Sequence, residues 1–467
     1  MLVLKESEYI VKNLFWSELK MEKFTNIVIG FGKGGKTLAK TLATNGQDVL
    51  LIEKSAQMYG GACINVACLP SKRLVLNAAA GMPFSQAVVA KNEMTNQLRN
   101  KNYHMVADET QATVLDGKAR FVSNHVLEIT LADGKSMQVE GQRIFINTGS
   151  KAIMPEVEGL KESKFRLDST TAMEQSERPN RLIVLGAGYI GLEFSSMFTK
   201  FGSQVTVLDR NQEFLKREDE DIAHTLYEDL TADGIDFKLG AQVQAIIDHE
   251  NEVEVVYEVA GQKQSVRADK FLVALGRQAN TQDLGLENTG IATNPNGSVK
   301  VDDFLQTTVE GVWALGDVNG GLQFTYISLD DFRIVKDQLL GDGKRRLSDR
   351  TVVPYSVFTQ TPLSNVGLTE KQAQAQGIDY QLFKLSAMAI PKAKVIGNQR
   401  GLLKALVNPK DDTILGASLY MEESYEVINL LALAIKAKIP YTQLRDQIYT
   451  HPTMSEALND LFKAPVK

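Results

Sequence analysis

Cys63 and Cys68 are the entire thiol complement of this 467-residue chain. They lie five positions apart in the run Gly60-Gly61-Ala62-Cys63-Ile64-Asn65-Val66-Ala67-Cys68-Leu69-Pro70-Ser71-Lys72. Two thiols cannot staple a chain of this size, so a close pair just beyond a glycine-rich fingerprint points to redox chemistry. His451, followed by Pro452 and, five positions on, by Glu456, is the second reactive constellation. A lone histidine is usually structural. Here a turn-fixing proline and a carboxylate able to orient the imidazole make an acid–base role reasonable. The chain's five histidines are scattered without ligand spacing, so no metal site is expected.

The elements that must position these groups repeat. Asn26–Ile29 reads as a strand, Gly30-Phe31-Gly32-Lys33-Gly34-Gly35 as a tight turn, and the following residues through Leu42 as a helix; a second strand, Val49–Ile52, ends at Glu53. The same order returns later. The strand Arg181–Leu185, the turn Gly186-Ala187-Gly188-Tyr189-Ile190-Gly191 and a helix through Phe201 lead to the strand Gln204–Leu208, which ends at Asp209. One glycine fingerprint is a weak signal, but two with correct flanks and a terminal acid point to two dinucleotides. Glycines let the backbone approach a pyrophosphate, the helix N-terminus supplies positive potential, and the acid accepts bonds from ribose. Two glycine-rich turns in an α/β sheet are the bland alternative. A third signal is the apolar strand running into Gly316-Asp317, where the acid is either a cofactor contact or an ordinary turn residue. Beyond Arg350, alternating strands such as Leu402–Val407 and Ile414–Tyr420 followed by helices read as a separate α+β domain.

Composition bounds the rest. Hydrophobic content of 43% and charged content of 23% are those of an ordinary globular protein, and a length of 467 residues demands several domains. A net charge of −6 without a basic stripe argues against nucleic acid. No apolar run approaches the ~20 residues of a membrane span, and Val427–Ala437, which carries Asn429 and Lys436, reads as a buried helix. Residues 1–20 mix Lys, Glu and Asn through their apolar positions, so they read as an N-terminal extension and not as a signal peptide; a cytoplasmic protein is expected.

Taken together these motifs resemble the FAD-dependent pyridine nucleotide–disulfide oxidoreductases. The motifs that carry the likeness are the first fingerprint, Cys63 to Lys72, Asn147-Thr148-Gly149-Ser150, the second fingerprint with Glu193, Ala274-Leu275-Gly276-Arg277, Ala314 to Asp317, and His451-Pro452-Thr453 with Glu456. The likeness spans residues 25–462. Two positions depart from the family pattern: Ala67 stands where glycine usually precedes the second cysteine, and Ala62 where threonine usually precedes the first. Only local adjustment is expected. The resemblance implies an α/β fold with two Rossmann-like dinucleotide-binding domains and an α+β C-terminal dimerisation domain. The boundaries expected are 21–150 for the first part of the FAD-binding domain, 151–275 for the NAD(P)-binding domain, 276–345 for the second part of the FAD-binding domain, and 346–467 for dimerisation.

It also implies roles. FAD is held by Gly30, Gly32, Gly35, Glu53 and Lys54, by Gly61 and Ala62 beside the first cysteine, by Thr148 and Gly149, and by Gly316 and Asp317. The nicotinamide cofactor falls to Gly186, Gly188, Ile190 and Gly191, with Asp209, Arg210 and Gly276. Tyr189 covers the flavin until nicotinamide displaces it, unless it is simply a core tyrosine. Hydride passes from NADH or NADPH to the flavin, which opens a Cys63–Cys68 disulfide; Cys68 faces the flavin and Cys63 attacks substrate. Residues five apart on a regular helix lie about 8–9 Å apart, beyond the ~7 Å at which a disulfide closes, so the backbone between them must be distorted. Lys72 pairs with Glu193 beside the flavin and stabilises its reduced charge. His451, oriented by Glu456, reaches the site of a partner subunit, which implies a homodimer.

Asp209 favours the free ribose of NADH, whereas Arg210 and Lys216-Arg217 suit the 2′-phosphate of NADPH, so both are expected to serve. No third cysteine is present to relay electrons as the C-terminal pairs of mercuric and large thioredoxin reductases do. The stretch Ala417 to Glu426 departs from dihydrolipoamide dehydrogenases. With Pro391 to Gly397 and Leu444 to Pro452 it is similar to the bacterial reactive-chlorine-resistance flavoproteins, which implies a small oxidant, hypothiocyanous acid, with copper(II) a further candidate. A lipoamide-type dithiol oxidoreductase and a flavin or disulfide redox sensor are the competing readings.

Overall fold

The computed structural model describes residues 21–466, so the expected N-terminal extension lies outside the described residues. Its first unit is built on a six-stranded sheet. Five strands run parallel in the order Val312–Ala314, Ser136–Ile146, Glu22–Ile29, Val49–Glu53 and Ala112–Phe121, and Val126–Leu131 makes an antiparallel excursion between Ala112–Phe121 and Ser136–Ile146. Parallel strands covered on both faces read as continuous apolar runs, and Val49–Glu53 is buried at every position. The first strand begins four residues earlier than its apolar run, at Glu22, because Glu22–Phe24 pair with Val139–Gly141 of the neighbouring strand.

The second unit is a five-stranded parallel sheet in the order Asp236–Leu239, Gln204–Asp209, Arg181–Leu185, Lys270–Val273, Arg166–Leu167. The helices Tyr189–Lys200 and Glu220–Ala232 pack through Leu192, Phe198, Ile222 and Leu226 against Val184 and Val207 on one face. On the other, an antiparallel three-stranded sheet brings Val253, Val255 and Tyr257 onto Ile183, Leu185 and Phe271. Both dinucleotide-type units therefore exist as the repeat in the sequence requires.

The third unit is an antiparallel sheet in the order Tyr355–Val357, Leu363–Gly367, Ile414–Tyr420, Leu402–Val407, Gln381–Ser386. The helix Ser424–Lys436 lies on it through Val427, Ile428, Leu431 and Ala434, matching the buried helix read from Val427–Ala437. Among the described residues no helix is long and apolar enough to cross a membrane.

Candidate functional site

The cysteines sit where two helices meet. Ala62–Asn65 forms a single turn, Val66 (φ −140°, ψ 10°) and Ala67 (φ −139°, ψ −108°) leave helical space, and a new helix runs from Cys68 to Ala79. The break is the distortion the five-residue spacing demands. At Ala67 φ is negative, so the left-handed conformation that favours glycine does not arise there. Ala62 opens the Cys63 turn in ordinary helical conformation.

Both residues are free thiols and partly buried. Their protons are unequally held. A hydrogen bond from the Cys63 thiol lowers Cys68 to about 6; the Thr325 hydroxyl and the Lys72 charge add to this, against burial and Glu193. Cys63, donating that bond and buried beside it, is pushed well above an ordinary thiol. The first negative charge of the reduced pair thus rests on Cys68, 3.6 Å from Thr325 Oγ1.

Lys72 Nζ donates to Glu193 Oε2 at 2.6 Å and stands 4.8 Å from the centre of the Phe358 ring. Glu193 Oε1 accepts the Phe358 amide at 2.9 Å, so the carboxylate that fixes Lys72 is itself fixed by the C-terminal unit. Lys36, which the sequence reading did not single out, donates from the buried first helix to the Gly60 carbonyl at 3.1 Å and to Asn102, clamping the turn that leads to Cys63. Burial lowers this lysine to about 8, Lys33 contributing and Cys63 opposing.

One cavity of about 2620 Å³ runs past both cysteines, Lys72, Glu193, Thr325 and Phe358. Single small-molecule sites occupy roughly 300–1,000 Å³, so this is a cleft for more than one ligand. It touches Gly30, Gly32, Glu53 and Lys54 at one end, Gly61, Ala62, both cysteines, Lys72, Glu193, Thr148, Gly149, Gly316 and Asp317 in the middle, and Gly186, Gly188, Tyr189, Ile190, Asp209, Arg210 and Gly276 at the other. Gly35 and Gly191 do not line it, for a physical reason. A Cβ on Gly191 would stand 2.0 Å from the Gly186 carbonyl and one on Gly35 2.6 Å from that of Gly30, so these glycines seat each helix against its own turn.

The cleft fits two dinucleotides. Both fingerprint helices, Lys33–Thr44 and Tyr189–Lys200, begin at a glycine that supplies no side-chain cap; in the first, Ser328 and Asn147 take the Gly34 and Gly35 amides, whereas a Cβ on Gly188 would meet nothing within 4 Å, so the second turn faces open space. The acids behind the turns brace them: Glu53 accepts the Phe31 amide at 2.9 Å and Asp209 accepts the Ala187 amide at 2.6 Å. Asp317 accepts the Ser150 hydroxyl at 2.6 Å, and Asn147 ties the Gly35 amide to the Leu315 carbonyl, closing the first turn onto the Gly316 loop. Arg210, Lys216 and Arg217 line the cleft near Asp209 and form no ion pair among the described residues.

His451 and Glu456 are not brought to this cleft. The imidazole Nδ1 lies 2.9 Å from Glu456 Oε2, with the histidine side chain 70% exposed on the C-terminal unit. Among the described residues no cluster of His, Cys, Asp and Glu could hold a metal ion.

Residues 24–331 match the family described as pyridine nucleotide-disulphide oxidoreductase, and residues 353–462 match its dimerisation domain. The chain is 50% identical over 95% of its length to a probable pyridine nucleotide-disulfide oxidoreductase, RclA, of Escherichia coli, covering 99% of that protein. It is 32% identical to a mercuric reductase of Staphylococcus aureus, over 92% of this chain and 80% of that one, and 30% identical to a dihydrolipoyl dehydrogenase of the same organism, over 92% and 94%. A solved structure of the Escherichia coli protein, described as a Cu(II) complex of an HOCl-induced flavoprotein disulfide reductase, superposes with a TM-score of 0.92 at 49% identity, over 95% of this chain and 99% of that one.

Proposed function

We propose, for a chain that belongs to the pyridine nucleotide-disulphide oxidoreductase family, that its two cysteines deliver electrons from NADH or NADPH to a small oxidant, hypothiocyanous acid, in oxidative-stress defence. The family works with flavin and pyridine nucleotide, and the HOCl-induced relative supports the stress setting. The observation that carries the reading is the unequal thiol pair lying in a single cleft with both glycine turns. When bound, FAD supplies the two-electron relay between nicotinamide and sulfur.

The chain's own residues do the rest. Gly30, Gly32, Glu53, Thr148, Gly149 and Asp317 hold the flavin nucleotide, while Gly186, Gly188, Asp209 and Arg210 receive the nicotinamide nucleotide. Lys72, fixed by Glu193, places a positive charge beside the thiolate of Cys68. Cys63 is the outer nucleophile and must first give up its proton. In a homodimer the partner's His451, oriented by its own carboxylate neighbour, is the base for that step. The Cys63 thiolate attacks the sulfur of hypothiocyanous acid and hydroxide leaves; Cys68 then attacks the Cys63 sulfur, thiocyanate leaves, and the disulfide forms. Two thiolates are oxidised and one hypothiocyanous acid is reduced. We assign residues 21–150 and 276–345 to the flavin unit, 151–275 to the nicotinamide unit and 346–467 to the dimer contact, in a cytoplasmic enzyme.

The test is acceptor turnover. NADH and NADPH oxidation by the purified yellow protein is followed with hypothiocyanite, lipoamide, oxidised glutathione and copper(II). Rapid turnover with hypothiocyanite alone is expected. Rapid lipoamide turnover assigns the enzyme to dithiols instead, and a single reduction per subunit with no acceptor turned over assigns it to sensing.

A further inference from the structure

Tyr189 is tied down at its hydroxyl. Its hydroxyl donates to Glu218 Oε1, and the hydroxyl of Tyr355, from the C-terminal unit, donates to the same oxygen at 3.1 Å. The two rings stack 5.8 Å apart. Glu218 is 1% exposed and its other oxygen has no hydrogen-bond partner; Asn365, opposite Tyr355 in the strand pair, stands beside the carboxyl without closing a bond. The carboxyl also cannot follow the ring. Neighbouring Asp219 accepts the Glu370 and Lys371 amides at 3.1 and 2.9 Å and pairs with buried Lys404 at 3.0 Å, pinning the segment to the C-terminal unit.

We propose that Glu218 is a positioning residue: with Tyr355 it latches Tyr189 in its resting place and so sets the affinity for the nicotinamide ring separately from that for the rest of the dinucleotide. The inference rests on the reading above, in which the second fingerprint takes the nicotinamide nucleotide and Tyr189 occupies the nicotinamide position. Entry of the ring breaks the Tyr189–Glu218 bond and leaves a buried carboxyl with Tyr355 as its one remaining hydrogen-bond donor, and a buried group short of a partner carries a desolvation cost. That cost is subtracted from nicotinamide binding and does not touch the adenosine end. Retention of the Tyr355 bond keeps the open state from leaving the carboxyl entirely unpaired.

The experiment is calorimetric titration of the oxidised, flavin-loaded protein with NAD⁺ and NADP⁺ and with their nicotinamide-free counterparts, ADP-ribose and its 2′-phosphate. Tyr189→Phe keeps the ring and removes the latch; Glu218→Gln keeps the shape and removes the charge. In Tyr189→Phe the whole dinucleotide should bind at least about fivefold more tightly, with a smaller gain in Glu218→Gln, as the loss of one hydrogen bond to release predicts. The nicotinamide-free ligands should bind both variants as they bind the native protein, and the steady-state KM for the dinucleotide should fall. Unchanged or weaker dinucleotide binding in Tyr189→Phe overturns the latch. Equal shifts for whole and nicotinamide-free ligands make Glu218 merely structural and overturn it too. If the native protein binds no ADP-ribose of either kind, the nucleotide assignment itself fails, and the latch with it.

Discussion

At the residue scale the chemistry lies in how two thiols share protons. Cys63→Ser and Cys68→Ser should each abolish acceptor turnover while the protein stays yellow; loss of flavin from Cys68→Ser in its absorption spectrum would make that thiol structural. The thiolate of the reduced protein should appear with a midpoint of about 6 in ultraviolet thiolate absorbance, read as a difference against Cys68→Ser. The sign is fixed by the donors. Cys68 is depressed below its ordinary value of 9.0, so the charge is present above pH 6 and is lost as pH falls through it. Lys72→Met should move the midpoint upward, because a cation that favoured the thiolate is gone. Arg210, Lys216 and Arg217 form a cationic rim while Asp209 is engaged with the Ala187 and Asn211 amides. Arg217→Ala should therefore raise the KM for NADPH severalfold and leave that for NADH nearly unchanged in initial-rate measurements, since only the former carries the 2′-phosphate.

At the element scale, function depends on where helices start and stop. The break at Val66 and Ala67 brings two sulfurs together that an unbroken helix would hold apart. Glycine matters where close approach demands it. Gly191→Ala would force a methyl to 2.0 Å from the Gly186 carbonyl, so the helix must lift from its strand. We expect about 1–3 kcal/mol of destabilisation in chemical denaturation, with weakened dinucleotide binding. Ala67→Gly, at negative φ, should cost under about 1 kcal/mol and spare turnover. The glycine spacing and the acid at each strand end made both turns legible in the sequence. Tyr355, Thr325 and Phe358 left no such signal, because they reach the cleft from segments separated by more than a hundred residues from the groups they contact.

At the scale of the whole molecule, the role proposed for the partner's His451 makes the site one that two chains complete. His451 is exposed and pairs with the largely buried carboxylate of Glu456, away from the cysteines, and Ile448, three positions before the histidine, is 91% exposed. A dimer that supplies His451 in trans makes a specific prediction. Mixed dimers of a Cys63→Ser subunit with a His451→Ala subunit should regain activity toward hypothiocyanite, since one of the two sites has both groups intact; assays of the hybrids showing no gain over either parent would place the histidine elsewhere. His451→Ala should slow hypothiocyanite turnover through loss of the base that deprotonates Cys63, and should harm dithiol substrates more, because thiocyanate, the group expelled as the disulfide closes, is a weak base that needs no proton. Equal loss across the acceptor panel would contradict that division.

Local order was written in the chain itself. The fingerprints, the thiol pair, the strand-end acids and the change of pattern beyond Arg350 are short-range signals, and the resemblance they carry implied two dinucleotide units, a redox pair and a dimer. Residue spacing also demanded a broken helix between the cysteines, because fixed helical geometry admits no other way to bring the sulfurs close. Tertiary structure alone decided which side chains meet across domains. Lys72 with Glu193 was reachable from the family pattern, but Glu218 beneath two tyrosines from different units was not, nor was Lys36 beneath the Cys63 turn. A buried polar contact of this kind is selected by packing in three dimensions, and no periodicity in the chain records its partner.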